Sequence, residues 1–372
     1  MTYIIAILIL GVLIIIHELG HMLVGRAVGV KVEEFSINIG PKLLSWKPKE
    51  TQYTLRLIPL GGFCRFLGED PEEESLTGPV PGSFYSVGPW KSLMIFVAGP
   101  LANILFSVLL CAIFAGAIGM PKHVVKTILP QSQAEAYGLQ IGDVIERVSG
   151  KDPLLFETPS SLIAQSGETA VVTVDRMGET LVLEIPKVEI DGQSILGIQT
   201  QASFQPVGFW EAIQKGFEIT WQMARMMFEF LGQLIGGLFG GAKPEGELIG
   251  PVGFVQEMSM SIESGPRTML LMVSMATLNL GIANLLPIPG LDGGRCLFVF
   301  YELIFRRRIK PEREGFLNAI GICLMFGLII LVSVKDEMCI RDRCNSDFRR
   351  AWHGSQGDHN GYAGHCTPGH CG

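Results

Sequence analysis

Charge is scarce in this chain of 372 residues, and the scarcity is uneven. Charged side chains make up 17% of the whole, and between Met1 and Gly25 the one formal charge is Glu18. No basic residue precedes the first apolar run and no small-residue cleavage site follows it, which argues against a cleaved leader. Cysteine is missing from His123 to Ile190, so no disulfide framework holds that stretch. A net charge of −7 says little about topology, and no nucleic-acid partner is expected. Apolar residues are abundant instead. They form 48% of the chain, and the mean hydropathy of +0.36 is that of a membrane protein.

Four segments are long and apolar enough to span a bilayer: about 3–25, 92–118, 267–287 and 315–334. A further stretch, Phe209 to Phe239, is broken by Glu211, Lys215, Glu218, Gln222, Arg225 and Glu229. That pattern suits an amphipathic helix lying on the membrane surface. Basic residues cluster after the first span, from Arg26 to Lys91, and after the third, from Arg295 to Arg313. Both loops are therefore read as cytoplasmic, which puts the long 119–265 region outside.

His17-Glu18-Leu19-Gly20-His21 lies within the first apolar run. Positions four apart share one helix face, so both imidazoles can reach one ion. Glu18, beside them, is placed to act as general base on water. Ionisable groups inside a span are costly and mark a functional site by default. Tyr3 to Ile16 makes about 21 Å of helix, which puts His17 about two-thirds of the way across a core of about 30 Å. Asp292, at the inner end of the third span, reaches a similar depth from the other direction. Catalytic zinc takes three protein ligands and keeps one open position. Asp292 is the candidate for the third, within a stretch where Pro287 and Pro289 break the helix and Gly293 and Gly294 permit close approach.

These residues, with Gly99-Pro100-Leu101-Ala102-Asn103 in span two and Asn284-Leu285-Leu286-Pro287 in span three, resemble the site-2 protease family. The nearest type is the bacterial intramembrane zinc protease that carries a PDZ domain, and the likeness covers residues 1 to about 335. It implies a Zn2+ ion on His17, His21 and Asp292, with Glu18 as catalytic base. It also implies that Asn279, Asn284, Pro287, Pro289 and Asn103 handle the substrate backbone. Ile39-Gly40-Pro41 and Pro59-Leu60-Gly61-Gly62-Phe63 resemble the family's membrane-associated β-hairpin, expected here over 34–69. Its edge could extend a substrate by β-pairing.

The fold class expected is therefore a multi-span α-helical membrane protein, of about four transmembrane helices, with that hairpin and one extracytoplasmic PDZ-like α+β domain. The protease core would comprise 1–118 and 266–335. The PDZ-like domain would occupy 121–190, where Gly138-Leu139-Gln140-Ile141-Gly142-Asp143-Val144-Ile145 resembles a PDZ pattern that binds extended peptide ends. The surface helix and connector would fill 205–265. Partners implied are single-span membrane protein substrates, peptide ends and the lipid bilayer, in a bacterial inner membrane. The rival is a catalytically inactive, membrane-tethered PDZ protein, which predicts a degraded His-Glu-x-x-His. Every position of that signature is intact.

Residues 337–372 change in character. Glu337 to Arg343 resembles one reading frame of a sequencing adapter, so the tail is read as non-native. It holds Cys339, Cys344, Cys366 and Cys371 with His353, His359, His365 and His370, at spacings that fit no standard zinc finger.

Overall fold

The computed structural model describes residues 1–69, 80–190, 193–238, 250–307, 313–325 and 327. The chain divides into two units: Met1–Ile104 with Phe228–Gly372, and Leu105–Met227.

In the first unit, α1 runs over Thr2–Ala27 and ends at Val28, with Gly29 at φ 96° turning the chain. Its 26 residues give about 39 Å of helix, enough to cross a hydrocarbon core of about 30 Å. Small residues set how closely it packs. A Cβ on Gly20 would collide with the Ala98 carbonyl and the Ala102 side chain of α2, Pro89–Ile113. Close backbone approach through small residues is how helices associate in lipid, where apolar burial gives no driving force. The short helix α6, Pro251–Glu263, meets the start of α1, and the Ser259 hydroxyl donates to Thr2 Oγ1 at 2.8 Å. Two more helices follow, α7 over Pro266–Leu285 and α8 over Asp292–Phe305.

Among the described residues three helices are long and apolar enough to cross a membrane: Thr2–Ala27, Pro89–Ile118 and Pro266–Leu285. They match three of the four expected spans within a few residues. Of the fourth, 315–334, residues 315–325 and 327 are helical and the remainder lies outside the described residues, as does the whole of 337–372.

The expected hairpin is more elaborate than two straight strands. Strands β1, Val32–Trp46, and β2, Gln52–Phe66, each bend near the middle. Asn38 and Gly40, at φ 68° and 89°, turn β1, and Gly61, at φ 141°, turns β2. Phe35 consequently pairs with both Cys64 and Tyr53, and Ser36 with both Phe63 and Thr54. The result is a small sheet of four segments, ordered 42–46, 52–56, 34–37 and 62–66. The last segment lies at its edge and packs on α1, where the Phe66 ring fills the space beside Gly25. Met22, Val30, Val32, Phe35, Phe66, Ile95 and Phe96 make the shared core.

In the second unit, strands β3 (Met120–Ile128), β4 (Val144–Val148), β5 (Thr169–Arg176), β6 (Glu179–Pro186) and β9 (Ile198–Gln205) form one antiparallel sheet, ordered β6-β5-β4-β3-β9. A small separate hairpin, β7 (Val188–Ile190) with β8 (Gln193–Ile195), precedes β9. Ala170, Val172 and Val174 alternate inward on β5 and meet Val125, Ile145, Leu162 and Ile185 in the core. Helices α3, Gln133–Ala136, and α4, Pro159–Gln165, are capped by the Ser132 and Thr158 side chains. Strand β9 lies beyond the boundary expected at 190 and pairs with β3 from Met120↔Gln205 to Ile128↔Ile198. Its residues alternate, with Ile198, Thr200, Ala202 and Phe204 on one face and Gln199, Gln201, Ser203 and Gln205 on the other, but Thr200 and Ala202 leave the apolar face weakly marked. From Phe209 to Leu238 the chain forms α5, the helix expected at the membrane surface.

Asp143 is buried in this sheet domain and takes two hydrogen bonds from Arg176, at 2.8 and 2.7 Å, and one from the Gln140 amide. Burial pushes its pKa up, but the Arg176 hydrogen bonds, the Gln140 amide and the Arg176 charge outweigh it, leaving the value below the ordinary one. Stability from a depressed carboxylate is present above the unfolded value of about 3.9 and is lost as pH falls through the folded one. Asp143→Asn is expected to destabilise this domain by about 1–3 kcal/mol, because an amide N–H2 replaces one of the two charged acceptor oxygens of a buried carboxylate. Hydrogen exchange at the Ile145 and Val174 amides of the full chain should then accelerate by about 5–100-fold, and unchanged protection would contradict the assignment.

Candidate metal centre and catalytic cavity

α1 carries His17 and His21 one turn apart, both buried, and the first turn of α8 carries Asp292. Their ligand atoms gather in one place. Asp292 Oδ2 lies 3.0 Å from His17 Nε2 and 3.2 Å from His21 Nε2, and the two nitrogens are 3.1 Å apart. Ligands at about 2.0–2.2 Å around a tetrahedral zinc stand roughly 3.3–3.6 Å from one another. The observed triangle is slightly tighter than that.

Two further observations suit a cation. Neither ring N–H is aligned on Asp292 Oδ2, which is buried without a hydrogen-bond partner among the described residues. An unsatisfied anionic oxygen wedged between two imidazole nitrogens is what a metal ion relieves. The second observation concerns the tautomer. His21 Nδ1 lies 2.8 Å from the Ile95 carbonyl, which can only accept, so the proton is on Nδ1 and the Nε2 lone pair faces Asp292.

Glycines let these pieces meet. A Cβ on Gly99 would overlap the His21 imidazole, and one on Gly293 would strike the Leu285 and Leu286 carbonyls. At these two positions a hydrogen atom is the largest side chain that the packing accepts.

The cluster opens into a cavity of about 640 Å3 lined by α1, the sheet edge Phe63–Phe66, Ile95, Phe96, Leu280, Asn284 and the turn into α8. Glu18 lines it too, and a Cβ on Gly62 of the sheet edge would lie 3.5 Å from its Cγ. The same cavity receives an ion pair absent from the sequence reading. Arg295 donates to Glu69 at 2.6 Å, and its guanidinium stacks 5.5 Å above the Phe96 ring. Its position three residues after Asp292 on α8 was the available signal, because i and i+3 share a helix face.

The structure thus brings together His17, Glu18, His21, Asp292 and Asn284. The Asn284 amide is turned to donate to the Leu280 carbonyl at 3.0 Å. Asn279, Pro287 and Pro289 do not line the cavity. Asn103 lies behind His17, fully buried, with Nδ2 3.4 Å from His17 Nδ1. It does not line the cavity either.

Comparison with known proteins agrees with this chemistry. Residues 5–328 match Peptidase family M50. A protein of Clostridium acetobutylicum is 31% identical over 338 residues, covering 90% of this chain and 96% of its own. Zinc metalloprotease RasP of Geobacillus kaustophilus is 29% identical, covering 89% and 96% of the two chains. RasP of Oceanobacillus iheyensis is 27% identical, covering 90% and 99%. With three helices among the described residues long and apolar enough to cross a membrane, and a cluster suited to zinc, the chain belongs to Peptidase family M50, the site-2 protease family, and is a zinc metalloprotease of a bacterial membrane.

Proposed function

We propose that this protease cuts the transmembrane segment of single-span membrane proteins in regulated intramembrane proteolysis, with an anti-sigma factor or a signal-peptide remnant as substrate. The observation that carries this reading is one cavity that holds the His17, His21 and Asp292 cluster, the Glu18 carboxylate and the edge segment Phe63–Phe66. A transmembrane helix hides its amide bonds, and an edge strand gives an unwound segment a partner for its backbone groups. The segment 62–66 pairs with 34–37 and lies at the edge of the sheet, and its residues Phe63 to Phe66 line the cavity.

His17, His21 and Asp292 are the residues that would hold zinc. The bound ion supplies Lewis-acid polarisation of the scissile carbonyl and makes water a stronger acid. Glu18 accepts the proton of the attacking water and returns it to the leaving amine. Ile95 fixes the His21 tautomer. Asn284, within the same cavity, is available to the substrate backbone. The tight fits at Gly99 and Gly293 hold the two halves of the cluster in register.

Four spans in the inner membrane complete the reading, with the five-stranded domain acting outside as a PDZ-like module that binds peptide ends and α5 lying in the interface. The test is co-reconstitution in lipid vesicles of the protein with a single-span substrate already trimmed outside. Cleavage within the span, abolished by removing zinc with a chelator and restored by adding it back, is the expected result. Cutting confined to soluble peptides would overturn the proposal.

A further inference from the structure

We infer that Asn103 is a positioning residue that holds His17 in its metal-binding tautomer, through a hydrogen bond from His17 Nδ1–H to the Asn103 carboxamide oxygen. The inference rests on His17 being a zinc ligand.

Three observations meet here. His17 Nε2 lies 3.0 Å from Asp292 Oδ2 and can bind a cation only as a lone pair, which leaves the ring proton on Nδ1. A buried N–H needs an acceptor, and Asn103 is the side chain within hydrogen-bond range of Nδ1. Its Oδ1 is buried without a partner among the described residues, while its Nδ2, a donor, is turned towards His17 at 3.4 Å. Half a turn of the carboxamide exchanges these two atoms, which have nearly the same shape. Nδ1–H then donates to Oδ1, and the orphaned oxygen and the unmatched proton are resolved together.

The surroundings keep Asn103 in place. Thr277 donates to its backbone carbonyl at 3.3 Å, and a Cβ on Gly281 would press its side chain at 3.2 Å. The two histidines are thus steered by different means. His21 has a backbone carbonyl, which no substitution removes, and His17 has a side chain, which one substitution removes. Outer-shell partners of this kind are worth about 10–100-fold in metal affinity.

The test measures zinc affinity of the purified full chain by competition with a chelator, together with the visible d–d spectrum of the cobalt-substituted protein. Asn103→Leu keeps the volume but removes the acceptor, and should weaken zinc binding about 10–100-fold and shift the cobalt bands. Asn103→Ala, which adds no bulk, should do the same. Asn103→Asp restores an acceptor and should bind zinc at least as tightly as the parent, with parental bands. Parental affinity in the Leu or Ala variant would overturn the inference. Equal weakening in the Asp variant would also overturn it, since that would mark Asn103 as packing alone. His17→Ala separates the premise: if it leaves zinc affinity unchanged, His17 is not a ligand and the inference falls with that reading.

Discussion

Replacing Glu18 with Gln is expected to reduce cleavage of a co-reconstituted single-span substrate by about 10²–10⁴-fold, the range that general acid–base catalysis contributes. The zinc content should stay at the parental level. Glutamine has nearly the same shape, so it fills the space beside Gly62 without disturbing the sheet edge. Its amide cannot take a proton from water at neutral pH. Glu18 is also not among the three residues whose ligand atoms converge, which is why metal should remain. Residual turnover above about one per cent of parent would argue against the general-base role.

Asp292→Ala should reduce zinc binding and cleavage together. It removes the one anionic ligand atom and leaves two neutral imidazole nitrogens 3.1 Å apart. Structural zinc sites of four ligands bind with about 10–16 kcal/mol, so losing one ligand should weaken affinity on the order of 10²–10³-fold. Metal analysis of the purified variant decides the matter. Full occupancy with normal cleavage would reduce Asp292 to an ordinary first-turn carboxylate of α8, where negative charge is favourable in any case.

Much of this site was legible in the sequence because its chemistry is carried by scarce residues. Two histidines and a glutamate stand out in an apolar run, and an aspartate between prolines and glycines stands out at the matching depth. The three spans were legible for a similar reason, since length and apolarity alone define them. Other features were written in groups that every residue carries. The Ile95 carbonyl that fixes His21 is backbone, and any residue type would supply it. The double pairing of Phe35 depends on bends at Asn38, Gly40 and Gly61, whose positive φ is a property of the fold. β9 escaped because its side chains are mostly polar and its place comes from pairing with β3. Asn103 was noticed, but its sequence position could not tell a residue facing substrate from one facing the far side of a histidine.

The gathering of the cluster from opposite ends of the chain has a consequence for synthesis. His17 and His21 leave the ribosome ~270 residues ahead of Asp292. At roughly 5–20 residues per second, about 14–55 s pass before the third member exists. During that interval the first span carries its polar groups with no acidic partner to complete the triangle. A newly made chain therefore has no working blade while it is being threaded past other nascent membrane proteins, and it becomes a protease only once its last third has arrived.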